Sequence, residues 1–273
     1  MPELPEVETV VQSIRGKLIG NEFKNIEIRW PKVLFNFSKS EFLHTLIKRK
    51  IQRVERRAKF IIIGFNKDIL AIHLRMTGKL YFQNDFPQKK HISVIITMNN
   101  GSYFIFEDTR KFGKFYYYKS QDYLNNKLGI EPLSNELNDR SLINILHNKK
   151  RMIKALLLDQ NIIAGLGNIY VDECLWKSNI HPETTSNKIP EKNITILCKA
   201  IKTTLRSSIN AKGTTVIDFT FLNGQSGKYS DQLNIFRRQG DPCPKCSEII
   251  RKKKVAGRGT HFCPKCQVKR YCV

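Results

Sequence analysis

The sequence predicts an α+β chain: a leading helix and an N-terminal antiparallel β domain, a helical domain, and a small four-cysteine metal module at the end. Three observations predict it. After the first helix come several short strand-like runs, separated by turns and with no helical period between them. Beyond a polar stretch carrying Gly129 and Pro132, apolar residues recur at helical spacing. Near the C-terminus stand two Cys-x-x-Cys pairs.

Each element has a local reason. Val7, Val10, Val11, Ile14 and Leu18 fall on one helical face over 5–18, with Pro5 suited to the first turn and Gly20 to the stop. Strand signals cover 23–30, 51–65, 69–76, 92–98, 103–106 and 113–118, and Asn100-Gly101 is a hairpin turn. Such strands without intervening helices imply an antiparallel sandwich or barrel. In the strand 69–76, Leu70, Ile72, Leu74 and Met76 share the apolar face, which leaves His73 on the polar, exposed one. Helical spacing follows at 142–147, 152–158, 169–178 and 193–209. The expected division is a β domain over 2–124, a linker over 125–140, a helical domain over 141–236 and the metal module over 237–273.

Composition narrows the function classes. Of 273 residues, 41% are hydrophobic and 26% charged, which is globular and not disordered. Lys plus Arg total 47 against 24 acidic residues, a net charge of +23. That excess self-repels in the folded chain, and a polyanion such as nucleic acid relieves it. The acidic opening is unlike a signal peptide, and no apolar run approaches the ~20 residues of a membrane span. Seven cysteines, an odd number, with four in two tight pairs, argue for metal in a reducing cytoplasm over a disulfide framework. Nothing signals an oligomer, so a monomer is expected.

Cys243-Pro-Lys-Cys246 and Cys263-Pro-Lys-Cys266 can converge as four thiolates around one structural Zn²⁺, with no open position for catalysis. Between them Arg251, Lys252, Lys253, Lys254 and Arg258 decorate a hairpin that would face phosphates. Cys174, Cys198 and Cys272 show no pairing pattern, and the first two read as helix core.

The opening Pro2-Glu3-Leu4-Pro5-Glu6 has two readings. One is a helix N-terminus with acids favourable to its dipole. The other is chemical. Removal of Met1 leaves a prolyl secondary amine, and an α-amino group titrates near about 7.7–8.0 against about 10.4 for lysine, so much more of it is a free nucleophile at neutral pH. Attack on a sugar carbon gives an iminium ion, an electron sink for bond cleavage, with Glu3 and Glu6 as candidate acid and base.

Five motifs in order carry a resemblance: Pro2-Glu3-Leu4-Pro5-Glu6-Val7-Glu8-Thr9, Arg57-Ala58-Lys59, Asp108-Thr109-Arg110-Lys111-Phe112-Gly113, Gly165-Leu166-Gly167-Asn168-Ile169-Tyr170 and the four-cysteine finger. Together they resemble the formamidopyrimidine-DNA glycosylases over essentially the whole chain. The resemblance implies an N-terminal β-sandwich with a leading helix, then a helix–two-turn–helix domain ending in the zinc finger. It implies excision of oxidised purines (8-oxoguanine, formamidopyrimidines) from damaged duplex DNA, with strand nicking by β,δ-elimination. Pro2 would be the Schiff-base nucleophile, Glu3 the general acid and Lys59, on a strand, a phosphate contact that assists catalysis. Glu6 would hold the nucleophilic end. Met76, Arg110 and Phe112 would fill the gap left by the flipped base, as an apolar wedge and a guanidinium fork can. His73, Asn168 and Arg258 would join Lys59 in gripping phosphates, Asn168 at a helix N-terminus. A loop over about 213–230 would cap the lesion.

The pattern departs from the family at four points. Thr109 stands for a frequent proline and Lys111 for a frequent arginine. Phe236-Arg237-Arg238 lacks a common glycine, and Ser247 replaces another. Two other readings remain: a glycosylase for oxidised pyrimidines of the endonuclease VIII type, which usually has glycine where Leu4 stands, and a non-enzymatic zinc-ribbon binder of nucleic acid.

Overall fold

The computed structural model describes residues 1–214 and 227–269. Its contacts divide into two compact units, the first comprising Met1–Asn126 with Lys212–Lys228, the second Lys127–Ala211 with the chain from Tyr229 onward.

The first unit is a β-sandwich with a helix leading into it. Helix α1 (Leu4–Leu18) buries Val7, Val10, Val11, Ile14 and Leu18, the face expected from their spacing. One sheet has the order β1-β6-β7-β5, from Phe23–Ile28, Ile92–Met98, Tyr103–Asp108 and Gly78–Gln83. The other has the order β2-β3-β4-β8, from Ile51–Arg57, Phe60–Phe65, Ile69–His73 and Lys114–Tyr118. All pairings are antiparallel. The two sheets share one core: Phe23, Ile26, Val94, Ile96, Phe104 and Phe106 from the first meet Val54, Ile61, Ile63, Leu70, Ile72 and Phe115 from the second. α1 and the short α2 (Lys39–Thr45) close its margin. α3 (Asp122–Lys127) follows β8.

The region 51–65, read as one strand from sequence, is a hairpin. Arg57 pairs with Phe60, and Ala58-Lys59 forms a two-residue turn in which Ala58 adopts φ 53°. No glycine or asparagine announces that turn, which is why periodicity ran through it.

The second unit is helical: α4 (Asp139–His147), α5 (Ile153–Leu157), α6 (Asn168–Lys177) and α7 (Glu191–Asn210), then the hairpin β9 (Arg251–Val255) and β10 (Arg258–Phe262). Cys174 and Cys198 are core residues of α6 and α7; Cys272 lies outside the described residues. The cysteine module belongs to this unit, whereas Lys212–Lys228 joins the first. The reason is visible at Thr214, whose N–H and hydroxyl bond to Glu6. No helix among the described residues is long and apolar enough to cross a membrane.

Candidate functional site

In the first unit, the chain end is fixed by reciprocal capping. Glu3 is the N-cap of α1, and its N–H donates to Glu6 Oε2 at 2.9 Å. Glu6 Oε1 accepts from Thr214 N–H at 2.8 Å and from Thr214 Oγ1 at 3.0 Å. One buried carboxylate, 3% exposed, thus clamps the start of the chain to the segment after α7. Gly213 is required there: its φ is +81°, and a Cβ would stand 3.0 Å from Glu6 Oε1. Pro2 is buried while Met1 is 49% exposed.

Lys59 sits on the β2–β3 turn, not on a strand as the sequence suggested, and is 5% exposed. Arg56 steadies that turn, donating to Ala58 O at 3.1 Å and to Glu8 of α1 at 2.9 Å. His73 corrects a second expectation. It is buried, not exposed, because both faces of β4 are covered. Its ring meets the edge of Phe60 at 4.8 Å, and Nδ1 accepts the Arg75 N–H at 3.0 Å. Burial, with the positive charges of Arg75 and Lys59, pushes its pKa down to about 3. His73 is therefore a neutral imidazole with its proton on Nε2, a hydrogen-bond donor and not a cation.

Met76, Arg110 and Phe112 converge. Arg110 Nη1 lies 3.1 Å from Met76 Sδ, and its guanidinium carbon is 5.0 Å from the Phe112 ring centroid. Phe112 is 49% exposed. The residue that builds this loop is one the sequence reading quoted without a role. Asp108, 1% exposed, accepts from Thr77 Oγ1 and Arg110 N–H on one oxygen and from Gly113 N–H at 2.7 Å on the other. A Cβ at Gly113 would lie 2.3 Å from Phe106, so glycine alone lets the loop return to β8. Lys111 takes φ 58° and rests its Nζ 4.3 Å from the Trp30 ring centroid. The aspartate holds the turn that a proline would otherwise stiffen; an Asp opening a turn is the signal that could have found it.

In the second unit, Asn168 opens α6 behind Gly167 and donates from Nδ2 to Gly259 O at 2.9 Å. That bond puts it beside Arg258, which starts β10 and is exposed. Two acids of α6 that sequence reasoning passed over do the positioning. Asp172, fully buried, accepts from Lys154 Nζ at 2.5 Å and from His261 N–H at 2.9 Å, and Lys154 also reaches Thr260 Oγ1 at 2.7 Å. Glu173, equally buried, accepts the N–H groups of Asn234, Ile235 and Phe236 at 2.8–3.1 Å. Consecutive acids on an otherwise apolar helix were the available signal.

The four cysteine sulfurs lie within 4.8 Å of one another, with neighbouring pairs at 3.3–3.9 Å. A zinc tetrathiolate needs sulfurs about 3.8 Å apart, from Zn–S bonds of about 2.3 Å, so the donor set fits a structural Zn²⁺ with no vacant position. Each half is a knuckle: Ser247 N–H donates to Cys243 O and Gln267 N–H to Cys263 O, both at 2.9 Å. Burial raises the Cys243 thiol, but hydrogen bonds from the Trp176 Nε1–H, the Lys245 N–H, Cys263 and the Cys246 N–H outweigh it and lower the pKa to about 7. Lys253 is only half-exposed and pairs with Glu183 at 2.7 Å, whereas Arg251, Lys252, Lys254 and Arg258 are exposed cations. Of the capping loop expected over 213–230, residues 215–226 lie outside the described residues.

Three family models match in order. They are the formamidopyrimidine-DNA glycosylase N-terminal domain over residues 1–115, the formamidopyrimidine-DNA glycosylase H2TH domain over 128–220, and the zinc finger found in FPG and IleRS over 240–268. The formamidopyrimidine-DNA glycosylase of Pelotomaculum thermopropionicum is 42% identical over 98% of this chain and 99% of its own length. That of Bacillus subtilis is 39% identical over 99% and 100%. A variant of the Lactococcus lactis enzyme, solved with DNA containing Fapy-dG, superimposes with a TM-score of 0.91 at 35% identity, covering 98% of this chain and 100% of that one. MutM bound to DNA containing carbocyclic 8-oxo-G gives 0.90 at 36% over the same shares. With sandwich, helical domain and four-thiolate module all matched in order, the chain belongs to the formamidopyrimidine-DNA glycosylase family.

Proposed function

We propose that this chain removes oxidised purines from duplex DNA and nicks the strand at the resulting abasic site, with the amine of Pro2, freed by loss of Met1, as nucleophile. The observation that carries the reading is the Glu6 carboxylate, which fixes Glu3 from one side and Thr214 from the other and so immobilises a chain end that ordinarily frays. Related structures hold the two lesion types named, Fapy-dG and 8-oxo-G.

The Pro2 nitrogen attacks C1′ of the extruded nucleotide, and the base leaves with the electrons of the glycosidic bond. Glu3 supplies a proton to the sugar ring oxygen as C1′ becomes an iminium carbon. Loss of a C2′ proton then expels the 3′ phosphate, and a second elimination expels the 5′ phosphate. Lys59 and the neutral Nε2–H of His73 serve the phosphates from the first unit, Asn168 and Arg258 from the second. Met76, Arg110 and Phe112 fill the emptied stack. Zinc, when bound, holds the finger hairpin in shape and takes no part in the chemistry. Residues 2–124 act as the catalytic β domain, 141–236 and 237–273 as the DNA grip. The setting is the bacterial cytoplasm at the nucleoid, where thiolates stay reduced.

Borohydride trapping on an 8-oxoguanine:cytosine duplex, with peptide mapping, is the test. The expected adduct is on Pro2, and a retained N-terminal tag lowers nicking on the order of 10³-fold while leaving DNA binding within a few-fold. An adduct on a lysine, or full activity with Met1 attached, sinks the mechanism.

A further inference from the structure

The first unit carries an aromatic row that the proposed chemistry does not use. Phe35 is 65% exposed, more than any other large hydrophobic residue among those described. It does not hang on a loose loop. Its N–H donates to Phe115 O at 2.9 Å, and the next residue, Asn36, exchanges two hydrogen bonds with the Tyr117 backbone at 2.8 and 2.9 Å. Leu34 adds a bridge to Phe115. These bonds along β8 fix the backbone beneath an apolar ring that stays in water.

The ring has neighbours in a line. Phe35 packs on Tyr116 at 4.9 Å, Tyr116 stacks on Tyr118 at 6.1 Å, and Tyr118 meets Tyr123 at 4.8 Å. Tyr116 and Tyr118 point to one face of β8 by strand alternation; Tyr116, 7% exposed, is the buried base of the row, Tyr118 is half-buried and Tyr123 is 50% exposed. From Tyr116 the line also turns inward, through Phe60 at 5.8 Å to His73 at 4.8 Å. Cations flank it: the Arg75 guanidinium lies 3.5 Å from the Tyr116 hydroxyl, and Lys32 and Lys119 are exposed nearby in the chain.

We propose that the exposed rings of this row, Phe35 and Tyr123 with the half-buried Tyr118, form a stacking surface for unpaired DNA, joined through buried Tyr116 and Phe60 to the phosphate contact proposed at His73. A paired duplex offers phosphates but hides its base faces, so exposed rings with cations close by in the chain gain most from single-stranded nucleotides. The +23 charge of the chain supplies the long-range attraction. This rests on the DNA-binding part of the proposed function and not on the Pro2 chemistry.

The test measures binding of the full chain to a short oligothymidine and, in parallel, binding and excision on a fully paired 8-oxoguanine duplex. Phe35→Ala and Tyr123→Ala each weaken oligothymidine binding about 5- to 100-fold, while binding and excision on the paired duplex stay within twofold. Phe35→Trp restores the affinity, and its emission is quenched by the oligonucleotide. Unchanged oligothymidine affinity in both alanine variants overturns the proposal. So does an equal loss on both DNAs, which would make the row a duplex contact or a folding element. Absence of excision by the parent chain would instead count against the proposed function and leave the oligothymidine comparison readable.

Discussion

The two units position their candidate DNA contacts by different physics. In the first, the side chains stand on turns that leave a large apolar sandwich: Lys59 between β2 and β3, Arg110 and Phe112 between β7 and β8. The core supplies stability without direction, and single buried carboxylates, Asp108 and Glu6, supply the direction. In the second, the finger's core is small, with Trp176, Ile235 and Ile250 beside the cysteines. There Arg258 is placed by a hairpin pinned to α5 and α6 through the Lys154–Asp172 ion pair, and by the metal. Where apolar area is scarce, directional bonds must do both jobs.

The largest effect expected from this contrast is metal removal. Chelation, or Cys243→Ser, unfolds the finger, because binding free energy is its folding free energy. DNA affinity falls by an order of magnitude or more, and the log–log salt slope shrinks as phosphate contacts are lost, by about 0.9 for each. The first unit's amides keep their hydrogen-exchange protection. Unchanged affinity after verified zinc loss would break the comparison.

Next comes the buried pair. Lys154→Met leaves Asp172 without its ion-pair partner at 0% side-chain exposure and costs about 3–5 kcal/mol of second-unit stability. Lys154→Met with Asp172→Leu recovers most of it, since an apolar pair of similar volume replaces the desolvated charges. If the double variant is no more stable than the single one, the pair is not the device that docks the hairpin. Denaturant unfolding followed at second-unit amides decides.

Histidine titration separates the units by pH. His73 in the first has a pKa of about 3 and His181 in the second about 4, both lowered mainly by burial from a usual 6.5. Each binds its proton more readily unfolded than folded. Stability is thus fully present above pH 6.5 and is lost as pH falls, over the window down to about 3 for the first unit and about 4 for the second. The slope is about 1.4 kcal/mol per pH unit for each group. His73→Gln should flatten the first unit's loss between pH 6 and 4 and leave the second unit's alone. A flattening of both, read by amide exchange, would mean that the units do not respond separately.

These differences track what was legible in the sequence. The α1 face, the Asn100-Gly101 hairpin and the thiolate spacing are local patterns, and each is where periodicity and spacing put it. The Ala58-Lys59 turn was hidden because its left-handed residue is an alanine. His73 was misplaced because alternation assumes one wet face, and β4 has none. The roles of Asp108, Asp172 and Glu173 depend on partners distant in the chain or on local turn bonds, which a one-dimensional period does not encode.

The smallest effect sharpens the comparison most cleanly. Arg237, in the stretch that lacks a common family glycine, and Ser247, which replaces another, take φ 63° and 59°, both at the entrance to or inside the finger. The fold has kept the left-handed turn and accepted the strain of a Cβ, about 1 kcal/mol for each residue. At Ser247 the turn is obligatory, since its N–H closes the first knuckle on Cys243 O at 2.9 Å. Ser247→Gly relieves that strain, and against the greater freedom of unfolded glycine the net gain is about 0.5–1 kcal/mol. It should appear as slower zinc loss to a chelator and stronger exchange protection in the finger, with the first unit unchanged. A faster zinc loss in the glycine variant would show that the serine side chain, and not the backbone, secures the knuckle.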